Sequence, residues 1–261
     1  MRRRLATLAT LGLVLPMLMA PTPTLAAPPP SGLAAWAAVV VAGDDHASHT
    51  EALTETFDNA RRDVATGFVR RGFTRDRVAQ FSLRPQRYPD TRPSQARLSA
   101  ILERLRTSAA ASTGCLVYFT SHGSPDGVVL GDSLVSPKRL AAMVGSACGT
   151  RPTAVIVSAC FSGVFLPALR APSRLVLTAA RADRSSFGCG ESDHYPFFDG
   201  CVVEDLPSAR DFIDLAARVR RCVAAREDSQ GMRPRSEPQV FVGGAFSAAS
   251  PPFSVSAADG R

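Results

Sequence analysis

The sequence predicts an α/β fold with a mostly parallel central sheet and helices on both faces. Short, almost fully apolar runs recur along the chain, and such runs are typical of strands buried on both sides of a parallel sheet. Segments with the spacing of amphipathic helices lie between these runs. The alternation favours right-handed crossover connections between parallel strands. With 261 residues, the chain is long enough for a substantial core.

The predicted elements follow from local patterns of apolar residues. The apolar runs place strands at residues 34–42, 78–83, 115–120, 128–130, 153–158, 175–179 and 238–243. Apolar residues at helical spacing place helices at 51–71, 94–110, 137–144 and 208–226. Gly72 is a stop signal for the first helix, and Pro137 suits the first turn of the third.

The amino terminus has the form of a secretory signal peptide. Three arginines at positions 2–4 precede an apolar run, and small residues suited to cleavage follow. The run falls short of the about 20 residues that span a bilayer, so a retained membrane anchor is the less favoured alternative. We therefore expect a signal peptide at 1–26, a tether at 27–33, a folded domain at 34–245 and a flexible tail at 246–261. The expected location is secreted or periplasmic.

The charge of the chain does not indicate a nucleic-acid-binding protein. The formal net charge is +7, and removal of residues 1–26 would leave +4 because that segment holds three arginines and no acidic residue. The arginines in and near the helix predicted at 51–71 are interleaved with acidic and apolar residues, which is typical of a solvated helix face.

Two predicted strands end at residues with catalytic chemistry. His122 follows the strand at 115–120, and Cys160 follows the strand at 153–158. Ligand sites of open parallel sheets lie beyond the carboxyl ends of the strands, so these two residues could face one cleft. An imidazole can favour the reactive thiolate of a cysteine and later protonate a leaving amine. The backbone N–H groups of Gly123 and Cys160 could bind the developing oxyanion.

The segments around these residues resemble a known family. Residues 117–124 read Val-Tyr-Phe-Thr-Ser-His-Gly-Ser and residues 155–163 read Val-Ile-Val-Ser-Ala-Cys-Phe-Ser-Gly, which is similar to the legumain-like C13 cysteine peptidases. With further similar segments, the resemblance covers roughly residues 36–244. It implies a caspase-like three-layer sandwich and a cysteine endopeptidase acting on peptides or proteins, and the expected signal peptide predicts that this enzyme is exported. It also implies that His122 and Cys160 form the catalytic dyad, with Gly123 in the oxyanion hole, and that no metal or organic cofactor is needed.

The same resemblance suggests residues for the substrate pocket. Ser158 stands where legumains have an acidic pocket residue, and Arg184, Ser185 and Ser186 resemble the pocket wall. Asp199 could be the pocket acid. An arginine that legumains use after the first strand has no evident match. Cleavage after Asn or Asp is therefore an open expectation.

Other functions remain open at this stage. A transpeptidase or transamidase would use the same chemistry. A non-catalytic envelope protein could keep the scaffold for binding, with Cys160 held in a disulfide. A metal-dependent hydrolase could use Asp44, His46 and His49, since carboxylates and imidazoles are common ligands. Alternatively, His46 or His49 could contact substrate from a loop that lines the cleft. Membrane contact is expected only through an uncleaved signal segment.

The six cysteines are consistent with an oxidising compartment. If Cys160 is the nucleophile, at least one more cysteine must lie outside a disulfide. Cys115 and Cys148 precede two strands that could be neighbours, which makes a disulfide between them plausible. Cys189 and Cys201 could close a loop of about a dozen residues.

Overall fold

The computed structural model describes residues 31–47, 50 and 52–254. The expected signal peptide lies outside the described residues, as do residues 27–30 of the expected tether and 255–261 of the expected tail. The strands of the described part are β1 (Trp36–Ala42), β2 (Val78–Ser82), β3 (Ser94–Gln95), β4 (Gly114–Thr120), β5 (Gly123–Ser124), β6 (Gly127–Leu130), β7 (Ser133–Val135), β8 (Thr153–Ser158), β9 (Arg174–Thr178) and β10 (Gln239–Val242). The α-helices are α1 (Thr56–Arg70), α2 (Leu98–Ala110), α3 (Pro137–Cys148), α4 (Leu166–Leu169), α5 (Phe197–Asp205), α6 (Phe212–Ser229) and α7 (Gly244–Ala249).

A seven-stranded sheet forms the centre of the fold. Its strand order is β10-β9-β8-β4-β1-β2-β3, and β10 runs antiparallel to β9 while the other neighbours are parallel. Every residue of β1, β4, β8 and β9 is buried. These strands are the apolar runs of the sequence, so the predicted mostly parallel sheet is confirmed.

Helices cover both faces of the sheet because alternate strand residues point to opposite sides. In β1, Ala38 and Val40 belong to a core that includes residues of α1, α5, α6 and α7. Ala37, Val39 and Val41 belong to a second core that includes residues of α2, α3 and α4. The two cores and the sheet between them confirm the predicted three-layer sandwich. No helix of the described residues is long and apolar enough to cross a membrane.

Several element boundaries differ from the sequence expectation for local reasons. The first helix begins at Thr56 rather than at residue 51, because Leu53 forms an isolated antiparallel bridge with His46. The last long helix begins at Phe212 because the Asp211 carboxylate accepts the N–H groups of Ile213 and Asp214 as a cap. Helix α5 was not predicted, since its apolar residues do not follow helical spacing.

The carboxyl-terminal segment packs on the domain. Phe246 of α7 is completely buried and meets Trp36 edge to face at 6.3 Å, and Phe253 is 8 % exposed and packs on Phe212. Trp36 in turn stacks on Phe212 at 5.6 Å. This packing differs from the expectation of a flexible tail from residue 246, because two aromatic side chains of that segment complete an apolar cluster. Residues 246–254 therefore belong to the folded domain.

Two disulfides cross-link the described residues. Cys115–Cys148 joins the start of β4 to the end of α3, as the sequence suggested. Cys201–Cys222 joins α5 to α6 and replaces the suggested pair of Cys189 and Cys201. The suggestion was wrong because it did not include α5, which packs Cys201 against α6. Cys160 and Cys189 are in neither disulfide.

The bridge between α5 and α6 should contribute measurably to stability. A Cys201→Ala/Cys222→Ala double variant is expected to lose about 3 kcal/mol of unfolding free energy, because a disulfide that closes a loop of this length restricts the unfolded chain. Urea denaturation of the two proteins at neutral pH measures the loss. Mass mapping of the non-reduced wild-type protein checks the pairing, and a Cys189–Cys201 peptide would contradict it.

Candidate active site

His122 and Cys160 reach one cleft because the strands that precede them are neighbours. Strands β4 and β8 pair in parallel, with Thr120 opposite Ser158. The Ser121 N–H extends the pairing by donating to the Ser158 carbonyl at 3.0 Å. Each candidate catalytic residue therefore lies two positions beyond a matched pair. Both line a cleft of about 750 Å³ at the carboxyl ends of the parallel strands.

Close backbone packing between the two strand ends requires glycine at position 123. A Cβ atom on Gly123 would lie 2.3 Å from the Cys160 carbonyl oxygen and 2.9 Å from Cβ of Ala159. A contact of 2.3 Å with a backbone atom is far below van der Waals distance, so a side chain here would push the two ends apart. Gly123 also lines the cleft. The residue predicted for the oxyanion hole is thus the one that lets the thiol and imidazole segments approach.

Cys160 lies on a backbone turn with an uncommon conformation. Phe161, the next residue, has φ 57° in the left-handed region, which costs a non-glycine residue about 1–2 kcal/mol. Its N–H donates to the Arg184 carbonyl at 2.8 Å, which holds the turn against the loop after β9. From the same loop, the Ser186 N–H donates to Cys160 Sγ at 3.3 Å. The thiol is therefore oriented by backbone groups and remains accessible from the cleft.

The His122 ring is held by a backbone carbonyl and an aromatic side chain. Its Nε2 lies 2.9 Å from the His46 carbonyl oxygen, and its ring meets Phe57 edge to face at 4.9 Å. A carbonyl oxygen can only accept, so Nε2 carries the proton in this arrangement. In the neutral ring, Nδ1 then carries the lone pair that can accept a proton.

The predicted substrate residues divide between the cleft and the core. Ser185 and Ser186 line the cleft. The Arg184 guanidinium instead donates to the Asp183 carboxylate at 2.8 Å. Ser158 is 2 % exposed and Asp199 is completely buried, and the two side chains bond to each other below the strand ends. Their burial does not fit a direct contact with substrate.

Among the described residues, Asp193 is the acidic residue that lines the cleft. Its Oδ2 accepts the Gly190 N–H at 2.7 Å, which shapes the loop before α5. Sequence reasoning missed Asp193 because it lies in a short polar loop whose composition is typical of a solvated turn. Its position in the sequence could have indicated it, because its loop directly follows the segment that resembles the pocket wall.

The acidic loop after β1 also borders the cleft. The ligand atoms of Asp44, Asp45 and His46 lie within 4.8 Å of one another, and His46 lines the cleft. This grouping agrees with a loop that faces substrate, while His49 lies outside the described residues. The Asp45 carboxylate also contacts the Arg84 guanidinium at 3.2 Å. One of the two carboxylates thus already has a cationic partner.

A buried carboxylate connects the two strand ends from below. Asp199 Oδ2 accepts the hydroxyl groups of Thr120 and Ser158 at 2.8 and 2.7 Å, and Oδ1 accepts the Tyr118 hydroxyl. Burial raises the pKa of Asp199 from its usual value near 3.8 to about 6, against the opposing effect of the three hydroxyl donors. Burial and the same carboxylate raise the pKa of Tyr118 well above 10.

Comparisons with known proteins give one family match and a similar fold. The model of the peptidase C13 family matches residues 107–204, a segment that contains His122 and Cys160. The structure is similar to the crystal structure of caspase-1 from Spodoptera frugiperda, with a TM-score of 0.57 and 16 % sequence identity, over 81 % of this chain and 87 % of that chain. At this identity the similarity is one of fold, and it confirms the predicted caspase-like architecture. None of the curated proteins matches the sequence.

The raised pKa of Asp199 predicts a pH-dependent stability. The folded protein binds the Asp199 proton more tightly than the unfolded chain does, so the protonated carboxyl stabilises the fold at low pH. This contribution to the free energy of unfolding falls as the pH rises from about 4 to about 6, and it does not fall further above about pH 6. Relative to Asp199→Asn, the wild type should lose roughly 3 kcal/mol of unfolding free energy between pH 4 and pH 7. Urea denaturation across this range gives the difference, and a flat difference would contradict the prediction.

Proposed function

We propose that the protein is an exported cysteine endopeptidase with His122 and Cys160 as its catalytic dyad, because the model of the peptidase C13 family matches residues 107–204 and the fold is caspase-like. One observation carries the assignment. The two residues follow adjacent parallel strands at matched positions and line the same cleft. Cys160 is in neither disulfide. A nucleophilic cysteine cannot be disulfide-bonded, so this favours catalysis over a binding protein in which a disulfide blocks Cys160.

The proposed reaction begins with attack of the Cys160 sulfur on the peptide carbonyl. The thiol proton passes to Nδ1 of His122, and the carbonyl oxygen becomes an oxyanion that accepts the N–H groups of Gly123 and Cys160. The His46 carbonyl stabilises the imidazolium through Nε2–H. As the tetrahedral intermediate collapses, His122 returns the proton to the departing amine and a thioester remains.

A second half-reaction regenerates the enzyme. Water attacks the thioester, His122 accepts its proton, and the acid product leaves as the thiol is restored. If another amine attacks in place of water, the product is a new peptide bond, which is the transpeptidase alternative. Both outcomes use the same residues, so product analysis must distinguish them.

Asp193 supports a preference for Asn before the scissile bond. A carboxylate in the cleft can accept the N–H groups of an asparagine side chain, whereas it repels an ionised aspartate at neutral pH. Ser185 and Ser186 add short polar groups to the same wall. The Asp193 carboxylate would also attract a lysine or arginine side chain before the scissile bond. A test of specificity therefore has to include a substrate with lysine or arginine at this position.

Two features support export. Residues 1–26 have the pattern of a secretory signal peptide, and the described domain contains two disulfides, which persist in oxidising compartments. We therefore propose that the mature enzyme acts outside the cytoplasm, either secreted or periplasmic.

Replacement of either dyad residue should abolish peptide cleavage. Cys160→Ala and His122→Ala are expected to lower kcat/KM at least about 1,000-fold, because each removes a group that acts in the chemical step. A peptide-library digest read by mass spectrometry measures cleavage and shows whether new peptide bonds form. His194→Ala is the matched control, since it changes the same residue type outside the cleft lining and should retain most activity.

Other outcomes would favour the alternative functions. Normal cleavage by Cys160→Ala would exclude the thiol mechanism. Loss of activity with a chelator but not with iodoacetamide would instead favour the metal-dependent hydrolase that uses the acidic loop after β1.

Asp193 should control the choice between Asn and Asp substrates. In matched fluorogenic peptides that differ only before the scissile bond, the wild type should favour Asn over Asp at pH 7. Asp193→Asn should reduce that ratio about tenfold, the size expected for one charged hydrogen bond. Glu191→Gln changes an exposed acid of the same loop and should leave the ratio unchanged. A wild-type preference for Lys or Arg would show that the carboxylate selects a cation.

A further inference from the structure

We propose that Asp199 is a positioning residue, which ties the ends of β4 and β8 together and so sets the relative placement of His122 and Cys160. The proposal rests on the catalytic dyad proposed above. It gives Asp199 a role beneath the site rather than in the substrate pocket, where the sequence had suggested it.

The carboxylate of Asp199 joins both strands through hydroxyl groups. Tyr118 and Thr120 belong to β4, and Ser158 is the last residue of β8. Thr120 and Ser158 are register partners, and both donate to the same oxygen, Oδ2. One acceptor atom therefore bridges the last matched pair before the two strands diverge into the cleft.

The distance along the chain from this bridge to the reacting groups is short on both sides. His122 lies two residues after Thr120, and Cys160 lies two residues after Ser158. A shift at the bridge would thus pass directly to the thiol and the imidazole. Misplacement of reacting groups by about 1 Å can lower a rate about 100-fold, so the position of this bridge matters for catalysis.

A carboxylate is well suited to this position. Asp199 lies in the first turn of α5, where the helix N-terminus favours negative charge. Its three hydroxyl donors are each at most 2 % exposed, and Asp199 itself is completely buried. Among the described residues, the side chains that form hydrogen bonds with Asp199 are the hydroxyl groups of Tyr118, Thr120 and Ser158. Of these three, Tyr118 is the titratable group. An asparagine would offer one acceptor oxygen instead of two, and its amide group would face at least one hydroxyl as a donor.

A purely structural role for this cluster would predict a different result. Loss of stability alone lowers the fraction of folded enzyme but leaves the folded fraction with normal kcat and a normally reactive thiol. A positioning role changes kcat and thiol reactivity in protein that is fully folded. The test therefore needs both measurements, made well below the unfolding temperature of each variant.

The experiment compares Asp199→Asn with the wild-type full chain. We expect kcat to fall about 10- to 100-fold with KM changed less than about threefold. We also expect the rate constant for alkylation of Cys160 by iodoacetamide at pH 7 to fall at least about tenfold, because the imidazole no longer assists the thiol. Mass spectrometry assigns the alkylated cysteine and so separates Cys160 from Cys189.

Two milder variants cover the case in which Asp199→Asn does not fold. Ser158→Ala and Thr120→Val each remove one hydroxyl donor without a change in charge, and each should move kcat and alkylation in the same direction by a smaller factor. Glu227→Gln is the control, since it alters another buried carboxylate, one on α6 that accepts the Ser236 N–H at 3.1 Å. It should leave kcat and Cys160 alkylation unchanged even if it lowers stability.

The outcomes separate this proposal from the proposed function. Folded Asp199→Asn with wild-type kcat and wild-type Cys160 alkylation would overturn the positioning role, and so would unchanged values in both milder variants. If the wild type cleaves no peptide, the proposed function fails, and alkylation of Cys160 alone then decides whether Asp199 positions the two strand ends.

Discussion

The parallel pairing of β4 with β8 is the constraint on which the rest of the structure depends. Both strands are buried along their whole length, and their ladder ends with Thr120 opposite Ser158. A one-residue slip would turn every side chain of a strand to the opposite face, so the two cores on either side enforce the register. The same register decides which residues emerge at the sheet edge. Packing of the core and geometry of the cleft are therefore set by one interaction.

Much of the fold could be predicted from the sequence because its information is local. The strands that are buried on both faces consist of nearly uninterrupted apolar residues, and this pattern can be recognised without knowledge of the neighbouring elements. Once parallel strands are expected, the residues that follow them must lie at one edge. That reasoning was sufficient to bring His122 and Cys160 to a common cleft, with Gly123 between them.

The remaining features depend on contacts between distant segments. Helix α5 is packed against the sheet and α6, so apolar residues occupy positions around it and no helical spacing is visible. Without α5, the sequence could not show that Cys201 faces Cys222 or that Asp199 points at hydroxyls of β4 and β8. A buried acid and a cleft acid look alike in a sequence. Only the fold distinguishes Asp199 from Asp193.

The aromatic cluster around Trp36 links the two ends of the domain, and this has a consequence for biosynthesis. Phe246 packs on Trp36 although it is made roughly 210 residues later, and Phe253 follows behind it. The first strand of the sheet thus leaves the ribosome long before its aromatic side chain meets its final neighbours. The nascent chain carries an incomplete core until Phe246 and Phe253 have been made, and it depends on protection from aggregation for that whole interval.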